Sequence, residues 1–211
     1  IISSAFFVSA EAQVRAWERF YTGPDSGAND YGNGIAVDSA GHVYVAGSSD
    51  IRSICIKYDH SGKELWTHRY LEPGSLWCRA GLVALDPLGN AYVVGVASNP
   101  SAGTDGSLLW SRLYDGPGHG SDTPYGLAVD ASGNVLVTGE SKSRSIPPHY
   151  STIKYDPDGN QLWARSYTGS ETSWAAARAL ALDLQGNAYV TGNLKERGGD
   201  TDFATVKYSP N

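Results

Sequence analysis

The chain has 211 residues, with 22 acidic and 16 basic side chains and a formal net charge of −6. An acidic chain is a poor candidate for binding nucleic acid, because Lys and Arg must neutralise the phosphates. No apolar run is long enough to predict a membrane-spanning segment. The 25 Gly, 13 Tyr and 6 Trp favour many short strands joined by tight turns.

The first ten residues, Ile1 to Ala10, are apolar and small, unlike the rest of the chain. Ala10-Glu11-Ala12 has the A-x-A form of a cleavage site, which is typical of the end of a secretory signal peptide. The alternative is a first strand of the fold. We predict that residues 1–12 are a signal-peptide remnant and that 13–211 form the folded domain of a secreted or cell-surface protein.

A Trp recurs four times, and each copy opens a phrase that ends in Tyr: Trp17–Tyr21, Trp66–Tyr70, Trp110–Tyr114 and Trp163–Tyr167. A second phrase reads GIAVDSAGHVYVAG (34–47), LVALDPLGNAYVVG (82–95), GLAVDASGNVLVTG (126–139) and ALALDLQGNAYVTG (179–192). A third reads ICIKYDHSG (54–62), STIKYDPDG (151–159) and ATVKYSPN (204–211). The order of the phrases predicts four tandem repeats, at about 17–65, 66–109, 110–162 and 163–211.

Each phrase has the chemistry of a strand. Apolar residues alternate in His42–Gly47, and the preceding Asp38-Ser39-Ala40-Gly41 fits a short hairpin turn with Gly in the left-handed position. One repeat therefore holds four strands: A (GIAVD), B (HVYVAG), C (ICIKYD) and D (KELWTHRY). Units of this size are typical of propeller blades, in which we expect the Trp of strand D to anchor one blade against the next. The Ala-rich stretch 174–181 aligns with strand A, so we predict a strand there.

These phrases resemble the bacterial β-propeller repeat family known as SBBP, with its aVDssGNvYvtG and tvKYdpdGnqlW pattern, over about residues 17–211. The resemblance implies an exported or cell-surface protein with a propeller fold. It brings no catalytic residues with it.

The expected fold is an all-β propeller of four four-stranded blades, although the second repeat lacks the Lys-Tyr-Asp phrase between Gly95 and Trp110 and is therefore degenerate. The chain starts in a D phrase and ends in a C phrase, so the Trp17 strand could complete the last blade and close the ring. The alternative is a fragment of a larger, seven- or eight-bladed propeller. Cys55 and Cys78 lie in different parts of the repeat, and we expect both to be unpaired.

The sequence contains no nucleophile elbow, cofactor-binding glycine loop, P-loop or metal-binding helix motif. We therefore predict no catalytic residue, no cofactor and no metal. The five His residues lack metal-ligand spacing.

The D–A and B–C connections are long and divergent, and in a blade they should project from one face, where binding usually resides. The D–A segments carry aromatic residues and nearby carboxylates, which we predict to bind a ligand: Tyr31, Trp77, Tyr125, Trp174, Asp30, Asp122 and Glu171. Such a set suits a glycan or a protein partner, unless the rings only pack between blades.

The sequence is compatible with three functions. The first is a non-enzymatic binding or scaffold module. The second is a lyase or hydrolase that uses Asp30, Asp122 or Glu171 with His119 as an acid/base pair, which a carboxyl of raised pKa would favour. The third is an architectural spacer in a surface protein.

Overall fold

The computed structural model describes residues 16–24, 29–71, 75–97, 109–143, 146–169, 172–196 and 198–210. These residues contain strands and no helix. The strands are β1 Asp30–Val37, β2 Val43–Ser49, β3 Arg52–Tyr58, β4 Glu64–Tyr70, β5 Cys78–Leu85, β6 Ala91–Ala97, β7 Ser121–Val129, β8 Val135–Lys142, β9 His149–Tyr155, β10 Gln161–Tyr167, β11 Thr172–Leu182, β12 Ala188–Glu196 and β13 Thr201–Tyr208.

The strands form four antiparallel sheets that follow one another along the chain. The first sheet has the order β1-β2-β3-β4, the second β5-β6, the third β7-β8-β9-β10 and the fourth β11-β12-β13. Each sheet packs on the next in chain order. The prediction of an all-β, propeller-type repeat array is confirmed, and the Ala-rich stretch lies in β11 as predicted.

Only the first and third sheets contain four strands in the described part of the chain. Strand C is absent from the second sheet as far as the structure describes it, and residues 98–108 lie outside the described ranges. The predicted pairing of the Trp17 strand with the last sheet is not observed among the described residues. Residues 16–24 form no strand there, and β13 pairs with β12 alone. Residues 16–24 contact the first sheet instead, through the Trp17 and Arg19 side chains.

The Asp-x-x-Gly turns are built as predicted. In the β7–β8 turn, Oδ1 of Asp130 accepts hydrogen bonds from the amides of Ser132 and Asn134, and Gly133 adopts a φ of 81°. The amide of Gly133 then closes the turn on the carbonyl of Asp130. The same arrangement recurs at the turns that begin with Asp38, Asp59, Asp86, Asp156 and Asp183.

The Trp of each D phrase contacts the sheet that follows, where strand C is present. The ring centroids lie 6.0 Å apart for Trp17 and Tyr58, 5.9 Å for Trp110 and Tyr155, and 5.8 Å for Trp163 and Tyr208. We call this the Trp–Tyr contact. It confirms the expected anchoring between blades, because it joins the D phrase that precedes a sheet to strand C of that sheet.

Hydrogen bonds fasten the same phrase to the turn after strand C. Trp110 donates from Nε1 to the carbonyl of Pro157 at 2.8 Å, and Arg112 donates from Nε to that of Gly159 at 2.7 Å. Arg19 makes the matching bond to Gly62, also at 2.7 Å. The Trp110 indole and the Arg two residues after Trp17 and Trp110 are therefore part of the fold.

Trp66 is the exception that the degenerate second repeat predicts. Its ring packs on Tyr44 of its own sheet at 5.9 Å and on His68 at 4.6 Å. His68 stands where Trp17, Trp110 and Trp163 are followed by an Arg. The second repeat thus lacks the Lys-Tyr-Asp phrase, and its Trp66 also lacks an Arg two residues further along.

The Lys of the Lys-Tyr phrase also has a structural role. In the third sheet, Nζ of buried Lys154 lies 3.3 Å from Oδ2 of Asp130 in the A–B turn. In the first sheet, Nζ of Lys57 lies 3.8 Å from Oδ2 of Asp38. Successive strand residues point to opposite faces, so Lys holds the turn of its own sheet while Tyr receives the preceding Trp. The Lys and Tyr that recur in the C phrase therefore stabilise the fold, Lys within its own sheet and Tyr through its contact with Trp.

Cys55 and Cys78 do not form a disulfide, as expected. Burial raises the pKa of the Cys55 thiol to about 11. Neither the fold nor the turns depend on a disulfide between them.

Candidate binding face

The D–A and B–C connections lie together at one end of the sheets. The amide of Cys78, at the end of a D–A segment, donates to the carbonyl of Ile51 in the preceding B–C turn at 2.6 Å. The amide of Ala175 makes the corresponding bond to the carbonyl of Pro148 at 2.7 Å. The prediction that both sets of connections share one face is confirmed, and we call this surface the loop face.

An exposed apolar group lies on the loop face between the first and second sheets. Ile51, Leu76 and Trp77 are all exposed, and the Cys78–Ile51 hydrogen bond holds them near one another. The guanidinium of Arg79 lies 5.6 Å from the centroid of the Trp77 ring. We call these four residues the Trp77 patch. A cation above an indole adds an attraction beyond apolar burial.

A second aromatic group lies between the third and fourth sheets. The guanidinium of Arg178 stacks on Tyr125 at 4.3 Å and lies 5.9 Å from the Trp174 ring centroid. Trp174 donates from Nε1 to Oε1 of buried Glu140 at 3.2 Å. Trp174 and Tyr125 are half-buried, so these contacts fix both rings in place. We call Tyr125, Glu140, Trp174 and Arg178 the Trp174 cluster.

The structure therefore brings Tyr125 and Trp174 together, as two of the predicted ligand-binding aromatics, while Tyr31 and Trp77 belong to the other end of the array. Tyr31 is exposed on β1, opposite Ser48. Sequence reasoning missed Arg79 and Arg178, which stack on the rings. Their signal in the sequence is an Arg that closely follows the Trp, Arg79 after Trp77 in the second repeat and Arg178 after Trp174 in the fourth.

Asp30 and Asp122 hold the connections that precede strand A. Oδ2 of Asp30 accepts a hydrogen bond from the amide of Gly23 at 3.0 Å, and Oδ2 of Asp122 accepts one from Gly116 at 3.0 Å. The other oxygen of each carboxylate is buried. The Ser49 hydroxyl, followed by the Gly23 amide, lowers the pKa of Asp30. Both carboxylates therefore accept hydrogen bonds from backbone amides of the protein itself.

The acid/base alternative gains no support from the described carboxylates. Every described Asp whose pKa is clearly shifted has a lowered pKa, whereas a general acid at neutral pH needs a raised one. His119 pairs with Asp115 at 2.6 Å, and this hydrogen bond raises the pKa of the exposed imidazole. Glu171 lies outside the described residues. The described ranges hold no group of three His, Cys, Asp or Glu side chains arranged to bind a metal ion.

A shallow cleft of about 500 Å³ lies beside β10. It is lined by Leu113, Tyr114, Asp115, Pro117, Gln161, Ala164 and Ser166. None of these residues belongs to the Trp77 patch or the Trp174 cluster, so the aromatic groups form exposed surfaces and not the walls of this cleft.

Comparison with known families agrees with the repeat analysis. Residues 21–52 and 109–147 match the model of the SBBP family, described as a beta-propeller repeat. These two segments of the chain match SBBP beta-propeller repeats. The matched segments include the A and B strands of the first and third sheets, with the Asp-x-x-Gly turns between them. The resemblance predicted from the phrases is confirmed.

Among solved structures, the chain is similar to the tail fiber of Staphylococcus aureus phage P68, with 14% identity and a TM-score of 0.29. The alignment covers 88% of this chain and 50% of the tail-fiber chain, so the chain spans half the length of that protein. No curated protein matches the sequence. No helix in the described residues is long and apolar enough to cross a membrane.

Proposed function

We propose that the SBBP repeats form a non-enzymatic binding module whose loop face recognises a protein partner. The observation that carries this proposal is the Trp77 patch, where exposed Ile51, Leu76 and Trp77 lie beside Arg79. Trp, Tyr and Arg are enriched among the residues that dominate protein–protein binding energies. A contiguous exposed apolar group on a folded surface favours a binding role.

The Trp174 cluster supplies a second contact on the same face. Arg178 and Glu140 hold its two rings, so little side-chain entropy is lost when a partner binds. Trp77 and Trp174 occupy the same position in the second and fourth repeats. An extended partner could therefore use both groups, and two linked contacts bind more tightly than one.

A protein partner is favoured over a glycan by the carboxylates. Glycan recognition would use the rings together with free polar groups, but Asp30 and Asp122 each accept a backbone hydrogen bond from the module itself. Leu76 and Ile51 add aliphatic surface, which suits a protein interface. Export to the cell surface or medium is part of the proposal and rests on residues 1–12, which lie outside the described residues.

The experiment is a selection of peptides from a displayed library against residues 13–211, alongside binding of the same protein to a glycan array. We expect selected peptides to bind, and Trp77→Ala to weaken their binding by at least about tenfold, as loss of a dominant aromatic contact does. Trp174→Ala should weaken the binding of extended peptides only.

The matched control is Leu184→Ala, an exposed apolar residue in the turn between β11 and β12, at the other end of the sheets. It should leave binding unchanged. Glycan binding that depends on Trp77 would instead assign the face to carbohydrate. If both Trp variants keep their fold and every detected affinity is unchanged, the proposal is wrong.

A further inference from the structure

The fourth sheet has one face that no other described sheet covers. Phe203 on β13 is 82% exposed, and Tyr189 on β12 is 37% exposed. Their counterparts at the same repeat positions in the third sheet are Tyr150, 0% exposed, and Leu136, 1% exposed. The third-sheet residues are buried because the fourth sheet packs on them, with Tyr150 against Val190 and Leu136 against Ala188.

The first sheet has the opposite face uncovered. Ile35 is 70% exposed and Val37 is 59% exposed on β1. Their counterparts on β11, Leu180 and Leu182, are packed against the cluster formed by Leu136 and Trp163. The apolar surface of Ile35 and Val37 is thus the receiving half of an interface that the chain already builds between its third and fourth sheets.

We propose that a second copy of this chain docks the first sheet of one copy onto the fourth sheet of the other. Tyr189 would then pack on Ile35 and Val37, as Leu136 packs on Leu180 and Leu182. The occupant is identified by continuity with the existing interfaces: the face that carries Leu136 in the third sheet packs on the face that carries Leu180 and Leu182 in the fourth, and the proposed contact joins the equivalent two faces.

The segment that begins at Trp17 supports the same arrangement. It lies on Tyr58 and Gly62 of the first sheet, as the Trp110 segment lies on Tyr155 and Gly159 of the third. A docked fourth sheet would place its edge strand β13 beside this segment. The edge of β13 that pairs with no described strand would then be covered, which protects a sheet from uncontrolled edge pairing.

The contact is heterologous, because two different faces meet. Heterologous contacts either close into a ring or continue as a filament. Two copies with four sheets each would close with eight, which is within the range of natural propellers. This inference does not depend on the proposed function, since neither face belongs to the loop face.

The experiment is sedimentation equilibrium of residues 13–211 across the micromolar range. We expect a dimer, and we expect Phe203→Asp and Ile35→Asp each to weaken association by about 10- to 100-fold, the loss of one or two buried apolar contacts. The control is Leu88→Asp, an exposed apolar residue in the turn between β5 and β6, which should leave the dimer intact. Thermal melts confirm that each variant is folded.

A mixture of the two variants tests the heterologous geometry. Phe203→Asp retains an intact first sheet, and Ile35→Asp retains an intact fourth sheet, so the mixture should form an open heterodimer with one contact. A wild-type monomer throughout the concentration range overturns the proposal. A dimer that both variants leave intact, or a mixture that stays monomeric while the wild type dimerises, overturns it as well.

Discussion

The Trp–Tyr contact predicts that equivalent tryptophans contribute unequally to stability. Trp163 is 9% exposed, packs on Tyr208 and donates to the carbonyl of Pro210. Burial of about nine-tenths of an indole of about 200 Å² stabilises the fold by about 4 kcal/mol. Trp163→Ala should therefore cost about 4 kcal/mol, a large part of the 5–15 kcal/mol of a typical domain.

Trp66→Ala is the matched comparison, because Trp66 occupies the same repeat position without a Tyr from the following sheet. Its ring is half-buried and contacts Tyr44 and His68. We expect a cost of about 2 kcal/mol, half that of Trp163→Ala. Urea unfolding followed by circular dichroism measures both, since it does not depend on Trp fluorescence.

A double-mutant cycle of Trp163→Ala with Tyr208→Ala then isolates the ring pair, with an expected coupling of about 0.5–1.5 kcal/mol. Equal destabilisation by Trp66→Ala and Trp163→Ala would refute the reasoning. So would a coupling indistinguishable from zero.

Three further predictions concern the turns and the thiol. Burial alone would raise the pKa of Asp38, but the side chain and amide of His42 hold that pKa down to about 2. The ionised Asp38 carboxylate therefore stabilises the fold above pH 3.8, and this stabilisation is lost as the pH falls towards 2. Thermal melts through that interval should show a smaller loss of stability for Asp38→Asn than for the wild type. Cys55, with its pKa raised to about 11, should react far more slowly with a thiol reagent at neutral pH when folded than when unfolded in urea. Gly159→Ala should destabilise more than Gly89→Ala in urea unfolding, because both have φ near 80° but only a Cβ at 159 would meet the Trp110 ring, and equal effects would contradict that contact.

The repeat architecture could be predicted from sequence because its signals are local. The Asp-x-x-Gly turns and alternating strands lie within a few residues of one another, and tandem copies confirm each other. The anchoring role of Trp110 was also predictable, since a large apolar residue on an outer strand must be covered. The absence of strand C from the described part of the second sheet agrees with the missing phrase.

The candidate site was harder to predict because side-chain direction is not local. Asp122 is a carboxylate beside an aromatic residue in a D–A segment, which suggests ligand binding. Only the structure shows that the amide of Gly116 donates a hydrogen bond to its carboxylate. The stacking of Arg178 on Tyr125 joins two repeats and has no fixed spacing in the sequence. The pairing of Lys154 with Asp130 likewise depends on the register of β8 and β9.

The spacing of the hydrogen bonds that join each D phrase to the end of the following strand C phrase bears on how the chain folds during synthesis. Trp110 reaches a carbonyl 47 residues further along, Trp163 does the same, and Arg19 reaches one at 43. Each of these side chains, on emerging from a ribosome, therefore waits for about one repeat of chain before its acceptor exists, and none of these three hydrogen bonds spans more than 47 residues. Such nearest-neighbour closure keeps contact order low for an all-β chain, which favours vectorial, repeat-by-repeat folding.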